Sequence, residues 1–486
     1  PYTTLFRSKG ALMDLKNYHN FQKLKNNSNT FKKIFFYRIC GTGMGAAACL
    51  LKGAGHEVAG ADRMFYPPMS TYLEESGIDI FKLEDISLKD IARDYDLIVV
   101  GNVVAKASDD AREIEQLGIP FCSFPSAIGA FVLENKTVVG LSGTHGKTTT
   151  TYMGVQVFEK LGAKPGHFIG GVMGDRAPAE VGSGEFFFIE SDEYDSAYFE
   201  KYSKFQSYSI DHLVITSLEF DHADIFSSID DIKNEFRQVI PKAKTVIGCS
   251  DWKYINELKS ERIHKNWVDY GDDTTEILEE SEIGTKFSLS YNSKKYVFKT
   301  NAIGKHNILN LSSILLVALR AGYSEEEIQG SITDLKMVQR RQEVKGEYKG
   351  ATIVDDFAHH PTAVEETIKA IKVQYPNKKI HACLEPGSAT ARSDIFQEQF
   401  VCALALADMI SVIAPTRPTT AIGHGDLNVP ELINSLSHQG HDCTSVEDLN
   451  KLLERIEEFS SSDTVHLVMS NSSCLGLWSS DFIKKL

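Results

Sequence analysis

Short apolar runs, each closed by a glycine-rich or acidic turn, alternate along the chain with segments of helical periodicity. Residues 33–40, with Ile34, Phe35, Phe36, Tyr37 and Ile39, read as a strand. The run Gly41-Thr42-Gly43-Met44-Gly45-Ala46-Ala47-Ala48 then opens a helix that passes Leu51 and stops near Gly53-Ala54-Gly55. A second strand, 57–60, ends at Asp62; further strands lie at 96–102 and 120–123, with a helix at 107–117 between them. Alternating strand and helix predicts a parallel sheet. A G-x-G turn at a helix start, with an acid about twenty residues on, suits a pyrophosphate at the helix N-terminus and a ribose or base at the acid. Dinucleotide is the default ligand and a UDP-sugar fits the same physics; an empty Rossmann-like turn is the bland alternative. Asn102 belongs to the same strand-end edge.

The apolar strand before residue 143 leads into Gly143-Thr144-His145-Gly146-Lys147-Thr148-Thr149-Thr150-Thr151. Glycines let backbone N–H groups converge on an anion, Lys147 brings a point charge to a β/γ-phosphate, and the Thr148 hydroxyl can ligate Mg²⁺. The spacing is shorter than a strict Walker A loop, since Leu141 stands where its first glycine belongs. Threonines are poor helix formers, so a helix starting with four of them is expected to use the hydroxyls. A buried strand at 186–189 ends in Glu190-Ser191-Asp192-Glu193-Tyr194-Asp195. A carboxylate there can hold the metal that a phosphate loop needs; a solvated acidic turn is the alternative. The strand at 213–216 runs into Ser217-Leu218-Glu219-Phe220-Asp221-His222-Ala223-Asp224, where His222 is a candidate metal ligand or proton acceptor. Residues 251–300 look like a peripheral β insertion, and Gly304-Lys305-His306-Asn307-Ile308-Leu309-Asn310 opens an apolar helix whose polar start either caps it or reaches an adenine edge.

A third αβ set begins near Gln339-Arg340-Arg341-Gln342-Glu343, with strands at 352–354, 380–384, 407–413 and 466–469. Its first strand ends in Asp355-Asp356-Phe357-Ala358-His359-His360-Pro361-Thr362, and the two arginines upstream can offer bidentate phosphate contacts. Adjacent side chains point apart, which argues against a zinc site built from His359 and His360.

Composition narrows the partners. A net charge of −15 over 486 residues argues against nucleic acid or an anionic membrane, though not against an anionic small ligand. Eight scattered cysteines without C-x-x-C suit reduced thiols in a cytosol. No apolar run is long enough to span a bilayer, and the nearest, 401–415, is broken by Asp408. Residues 1–30 lack an apolar targeting core, and because Met13 is the first methionine, residues 1–12 read as non-native. A cytoplasmic protein is expected, with a partly non-native and disordered tail over 1–32.

Gly143–Thr148, Glu190–Asp195, His306–Asn310 and Asp355–Pro361, in this order, resemble the Mur ligase family over roughly residues 33–486. Within it, Tyr66-Pro67-Pro68-Met69-Ser70, the run 218–226, Arg340-Arg341-Gln342-Glu343, the run 355–362 and Leu467-Val468-Met469-Ser470-Asn471 are most similar to members that add a tripeptide. The resemblance implies an α/β fold of three domains: a Rossmann-like UDP-sugar-binding domain at 33–135, a central phosphate-loop ATPase domain with a parallel sheet at 136–337, and a C-terminal Rossmann-like ligase domain at 338–486. It implies ATP-dependent amide formation between UDP-N-acetylmuramate and L-alanyl-γ-D-glutamyl-meso-diaminopimelate through an acyl phosphate, by a monomer or weak homo-oligomer. Carried over by position, Gly41, Thr42, Gly43, Met44, Gly45, Asp62 and Asn102 take the UDP-sugar. Gly143, Thr144, His145, Gly146, Lys147, Thr148 and Thr149 take the ATP phosphates, with Lys147 on the transferred group. Thr148 and Glu190 hold one Mg²⁺ and His222 touches a second; Lys147, Glu190 and His222 are the catalytic set. His306, Asn307 and Asn310 lie near the adenine, and Arg341, Asp356 and His359 close over ATP. Gly387 after Glu385-Pro386, and Ser472-Ser473-Cys474-Leu475, depart from the pattern where the amine substrate belongs. An alanine-adding ligase is the alternative. An NAD-dependent oxidoreductase is a more distant one, because hydride transfer has no use for the Lys147 loop.

Overall fold

The computed structural model describes residues 15–67, 69–171, 173 and 176–486. Residues 1–12 and Pro68 of the Tyr66–Ser70 run lie outside these. The chain forms two compact units: Pro1–Gly140 with Lys164–Gly170 and Ala177–Asp211, and Leu141–Ala163 with Gly171–Arg176 and His212–Leu486. This division falls inside the stretch expected as a central domain.

In the first unit, β1 (Lys33–Tyr37), β2 (Glu57–Asp62), β3 (Asp79–Lys82), β4 (Leu97–Val100) and β5 (Phe121–Ser123) form a sheet in the order β3-β2-β1-β4-β5, with every neighbour parallel. Ile34, Phe35, Phe36, Leu97, Ile98, Val99 and Val100 are all fully buried, as a sheet covered on both faces requires. The order reverses beside β1, and the chain leaves β1 into the Gly41 turn, so the glycine-rich loop stands at a topological switch point where ligands bind. β6 (Thr137–Ser142) crosses from this unit into the other. β7 (Gly166–Phe168) lies antiparallel to β8 (Ala179–Glu180) and parallel to β9 (Phe186–Glu190), and β10 (Asp195–Ala197) forms a hairpin with β11 (Glu200–Ser203).

The expected disorder of the tail is corrected from residue 15 on. Asn20 caps a short helix, Phe21–Lys25; Tyr18 bridges to Phe121 and its hydroxyl donates to Glu200 at 2.9 Å; Leu24 and Phe31 are buried. Widely spaced apolar residues in a polar stretch carry no periodic signal, so only their docking reveals them as core.

In the second unit, β12 (His212–Ile215), β13 (Thr245–Cys249) and β14 (Trp267–Tyr270) are parallel. β15 (Thr275–Ser281), β16 (Gly284–Tyr291) and β17 (Lys294–Thr300) form an antiparallel sheet, so the β insertion expected over 251–300 is confined to 275–300, because Lys253–Ser260 is a helix and β14 joins the parallel set. β18 (Glu343–Tyr348), β19 (Ala351–Asp356), β20 (Lys379–Glu385), β21 (Met409–Ile413), β22 (Asp442–Val446) and β23 (Thr464–Ser470) form a sheet in the order β18-β19-β23-β20-β21-β22. All its pairs are parallel except the edge pair β18–β19. The α/β class with parallel sheets is as the alternating pattern predicts. Among the described residues no helix is long and apolar enough to cross a membrane.

Candidate active site

β6 ends in the phosphate loop, and the helix Lys147–Lys160 follows. Two of its glycines are obligatory for separate reasons. Gly143 has φ +126° and a Cβ there would sit 2.6 Å from the Ser217 carbonyl oxygen; Gly146 has φ +82° and a Cβ would sit 2.7 Å from Asn310 Oδ1. Gly146 is the N-cap and supplies no side-chain cap, which leaves the helix N-terminus able to receive an anion. The turn after β12 braces the loop: Thr144 N–H donates to the Ser217 carbonyl at 3.2 Å and His145 N–H to Ser217 Oγ at 2.7 Å. Lys147 Nζ folds back to donate to the Gly143 carbonyl at 2.6 Å, so its charge lies over the loop.

The threonines divide. Thr150 Oγ1 donates to the Gly146 carbonyl and Thr151 Oγ1 to the Lys147 carbonyl, each at 2.8 Å, and both side chains are fully buried. Their hydroxyls therefore serve the helix itself. Thr149 lines the adjoining cavity, and Thr148 stays partly exposed at the helix start.

That cavity, about 290 Å³, lies within the second unit. Of the residues expected around ATP it brings together His145, Gly146, Thr149, His306, Asn307, Asn310, Arg341 and Asp356, from stretches spread over more than two hundred positions. Gly143, Thr144, Lys147, Thr148 and His359 are not among its lining residues. His306 Nε2 is 3.3 Å from Gln342 Nε2, its Nδ1 has no hydrogen-bond partner among the described residues, and burial lowers its pKa, so it is a neutral polar edge. Asn307 Nδ2 donates to the Ile303 carbonyl at 2.8 Å, so this amide also closes the helix start. Asp356 accepts from Gln342 N–H at 2.8 Å and from Ala358 N–H at 2.7 Å.

The two arginines separate. Arg340 is drawn inward, its Nε 3.3 Å from Asp355 and its Nη2 donating to the Ser470 carbonyl at 2.5 Å, whereas Arg341 lines the cavity with its guanidinium 4.9 Å from the Phe357 ring centroid. Burial raises the Asp355 pKa to about 6, against the opposing pull of Arg340. Sequence reasoning missed Trp252, Lys305, Gln342 and Thr362, all of which line the cavity. Lys305 and Gln342 sit beside singled-out residues and could have been read with them. Trp252 stands in a stretch with no motif, and only the fold brings it here.

His222 has φ +55°, a left-handed conformation that a histidine adopts only when its surroundings hold it. Asp221 Oδ1 accepts its N–H at 2.7 Å, and its carbonyl accepts from Ile225 and Phe226 at 2.9 and 3.0 Å. Burial would raise the Asp221 pKa; His222, His359 and His360 around it, with the Thr390 hydroxyl, outweigh that and hold it well below the carboxylate range. His359 donates its Nδ1–H to the Phe357 carbonyl at 3.0 Å, and burial lowers its pKa to about 4.

Glu190 belongs to the first unit, where Gly170 N–H donates to its Oε2 at 2.6 Å. The hydroxyl of Thr148 and the carboxylate of Glu190 are hard oxygen donors of the kind Mg²⁺ takes; the His222 imidazole suits a softer divalent ion such as Mn²⁺ better.

At the other glycine-rich turn, Gly41 is the N-cap of the helix Thr42–Gly53 and supplies no side-chain cap. Gly41, Thr42 and Gly43 are at least partly exposed, whereas Met44 and Gly45 are buried. Both oxygens of Asp62 are engaged: Oδ2 accepts from Cys40 N–H at 2.8 Å, and Oδ1 accepts from Arg63 N–H at 2.7 Å and lies 3.0 Å from Arg38 Nε. Asp62 thus shapes the turn from behind. Asn102 is exposed just past the C-terminal end of β4.

Comparison with known proteins gives the family. Residues 33–136 match the Mur ligase family catalytic domain, 141–318 the Mur ligase middle domain, and 340–471 the Mur ligase glutamate ligase domain. The chain is 32% identical over 92% of its length, and 96% of the relative's, to the UDP-N-acetylmuramate–L-alanyl-γ-D-glutamyl-meso-2,6-diaminoheptandioate ligase of Escherichia coli K12. It is 29% identical over 90% of its length, and 93% of the relative's, to the UDP-N-acetylmuramate–L-alanine ligase of Clostridium kluyveri. Among solved structures, a murein peptide ligase from Psychrobacter arcticus superimposes with a TM-score of 0.66 at 25% identity, covering 92% of this chain and 97% of that one.

Proposed function

Because the chain belongs to the Mur ligase family, we propose that it is an ATP-dependent ligase that joins UDP-N-acetylmuramate to the amine of L-alanyl-γ-D-glutamyl-meso-2,6-diaminoheptandioate, in cell-wall peptide recycling. One observation carries the choice of amine: the 32% identity over nearly the full length of both chains to a ligase named for that tripeptide. The alanine ligase is the second reading, at 29% identity.

The reaction needs a leaving group on a carboxylate that has none. ATP supplies it: a muramoyl carboxylate oxygen attacks the γ-phosphorus, the bond to the β-phosphate oxygen breaks, and ADP leaves. The peptide amine then attacks the acyl carbon of the acyl phosphate, the amide forms, and phosphate departs. Both steps bring anions together, so the protein's contribution is positioned positive charge. Lys147, poised over the loop, meets the transferred phosphoryl group. The helix N-terminus at Gly146 receives the flanking phosphate oxygens. Arg341 adds a planar cation from the cavity wall, and neutral His306 with Asn310 orients the base. As the family resemblance implies, Thr148 and Glu190 would hold one Mg²⁺ and His222 would touch a second ion, and these ions would supply charge neutralisation at the phosphates. At the first glycine-rich turn, Gly41, Thr42 and Gly43 present the helix N-terminus to the UDP pyrophosphate. The attacking amine has a pKa of about 8 and must lose a proton before or as it attacks.

The test is phosphate release from Mg·ATP and UDP-N-acetylmuramate with either L-alanine or the tripeptide as amine. Release with the tripeptide alone is the expected result. Release with L-alanine alone keeps the family and replaces the amine; silence with both overturns the ligase reading.

A further inference from the structure

His145, Glu219 and His360 come from three separate stretches: the phosphate loop, the turn after β12, and the N-cap of the helix Pro361–Gln374. Each places one nitrogen or carboxylate oxygen within 4.8 Å of the other two. Glu219 Oε1 is hydrogen-bonded to His145 Nε2 and lies 3.3 Å from His360 Nδ1. The glutamate is itself held: Thr362 Oγ1 donates to its Oε2 at 3.0 Å, and its backbone exchanges two hydrogen bonds with Thr144 Oγ1, at 3.1 and 3.0 Å. Burial would raise its pKa, yet the His145 bond, the His145 and His360 rings and the Thr362 hydroxyl outweigh burial and hold it below its ordinary value.

His360 is the second, independent observation. Its side chain is only 3% exposed, and among the described residues neither ring nitrogen has a hydrogen-bond partner. The ring is clamped edge-on against Phe396, with centroids 4.5 Å apart, and lies 4.8 Å from the His145 ring. Burial lowers its pKa to about 4, the direction that favours the uncharged imidazole. Buried polar groups are ordinarily hydrogen-bonded; among the described residues Nδ1 has the Glu219 carboxylate oxygen at 3.3 Å without a hydrogen bond to it, and Nε2 has no hydrogen-bond partner.

The donor set names the ligand class. Zinc binds imidazole nitrogen and carboxylate oxygen at about 2.0–2.2 Å in tetrahedral geometry, which puts ligand atoms about 3.3–3.6 Å from one another; His360 Nδ1 and Glu219 Oε1 already stand at that spacing, and the closer His145–Glu219 hydrogen bond would give way to the ion. Two histidines and a glutamate form a three-ligand set that leaves a fourth position open, and the Thr362 contact to the far carboxylate oxygen is the kind of outer partner that orients such a ligand. Mg²⁺, which demands oxygen ligands, is poorly served here.

We propose that His145, Glu219 and His360 bind a zinc-class divalent cation that ties the phosphate loop to the turn after β12 and to the helix Pro361–Gln374. This site is separate from the Thr148, Glu190 and His222 donors and goes beyond the ligase reading. The ion would join three stretches far apart in sequence, so its binding stabilises the folded state against the unfolded one.

The full-length protein is stripped with a chelator, dialysed into excess Mg²⁺ to fill the oxygen sites, and titrated with Zn²⁺. Bound zinc is counted by mass spectrometry, and Co²⁺ is used as a coloured substitute. One zinc per chain is expected, with a rise in Tm. Glu219→Gln and His360→Asn are each expected to weaken binding by at least about tenfold, while Glu190→Gln leaves it unchanged. No zinc retained over Mg²⁺, equal retention in the two site variants, or loss with Glu190→Gln overturns the proposal. Glu219→Gln is nearly isosteric, so it decides alone if His360→Asn does not fold. Metal content is read without turnover, so this outcome is independent of whether the protein ligates a tripeptide or alanine.

Discussion

His381 on β20 and His466 on β23 stand opposite each other in the parallel pairing, both fully buried. Their hydrogen bonds admit a chain in which every hydrogen is used once. Ser411 O–H donates to His381 Nε2 (2.8 Å), His381 Nδ1–H to His466 Nδ1 (2.8 Å), His466 Nε2–H to Ser460 Oγ (3.1 Å), and Ser460 O–H to the Ile456 carbonyl (2.6 Å). A proton added to either ring destroys an acceptor. Burial accordingly lowers the pKa of His466 to about 4 and that of His381 well below its ordinary value. The unfolded chain, with histidines near 6.5, takes up protons first as pH falls, so this stability is complete above about pH 6.5 and is lost progressively towards pH 4. Each imidazole costs about 1.4 kcal/mol per pH unit across its window. The urea midpoint is expected to be clearly lower at pH 5 than at pH 7; an unchanged midpoint would mean that the rings are already charged in the native state. Neither histidine stood out in the sequence, since each occupies an ordinary strand position and only the register makes them a pair.

Among the elements, the helix Lys147–Lys160 separates two kinds of threonine. Its start was legible: an apolar strand, glycines, Gly-Lys-Thr. What the four threonines do was not, because a hydroxyl that bonds its own helix and one that faces a ligand look alike in one dimension. Thr151→Val removes a bond to the Lys147 carbonyl in a buried place, and is expected to cost about 1 kcal/mol of stability with turnover largely kept. Thr148→Val is expected to keep the melting temperature and to lose turnover by about two orders of magnitude, the size typical of one lost contact to a developing charge. A thermal melt and a phosphate-release assay on both variants check this; equal turnover in the two would remove Thr148 from the phosphate site. The same distinction separates Arg340, held by Asp355 and the Ser470 carbonyl, from Arg341 on the cavity wall. In sequence they are neighbours with identical chemistry.

At the scale of the whole molecule, the glycine-rich turn at Gly41 and the phosphate loop belong to different compact units, each ending a strand and each opening a helix whose N-cap offers no side chain. Lys147→Ala is expected to abolish ATP turnover while leaving UDP-sugar binding, measured by calorimetry, largely intact. Loss of both together would show that the two sites do not act as separate binding elements.

The sequence alone determined the α/β class, the strand-ending turns, the phosphate loop and the family resemblance, since each is written in local spacing: apolar runs, obligatory glycines, a lysine and threonine at a helix start. It also placed Asp62 near its turn, though not as the brace that holds Cys40 and Arg63 from behind. The tertiary structure decided which of those residues share a cavity, that Trp252 joins them, that residues 15–32 dock on the first unit, and that His145, Glu219 and His360 meet. Strand register and loop path set these distances across more than two hundred residues, and no local pattern encodes a distance between segments that only folding brings together.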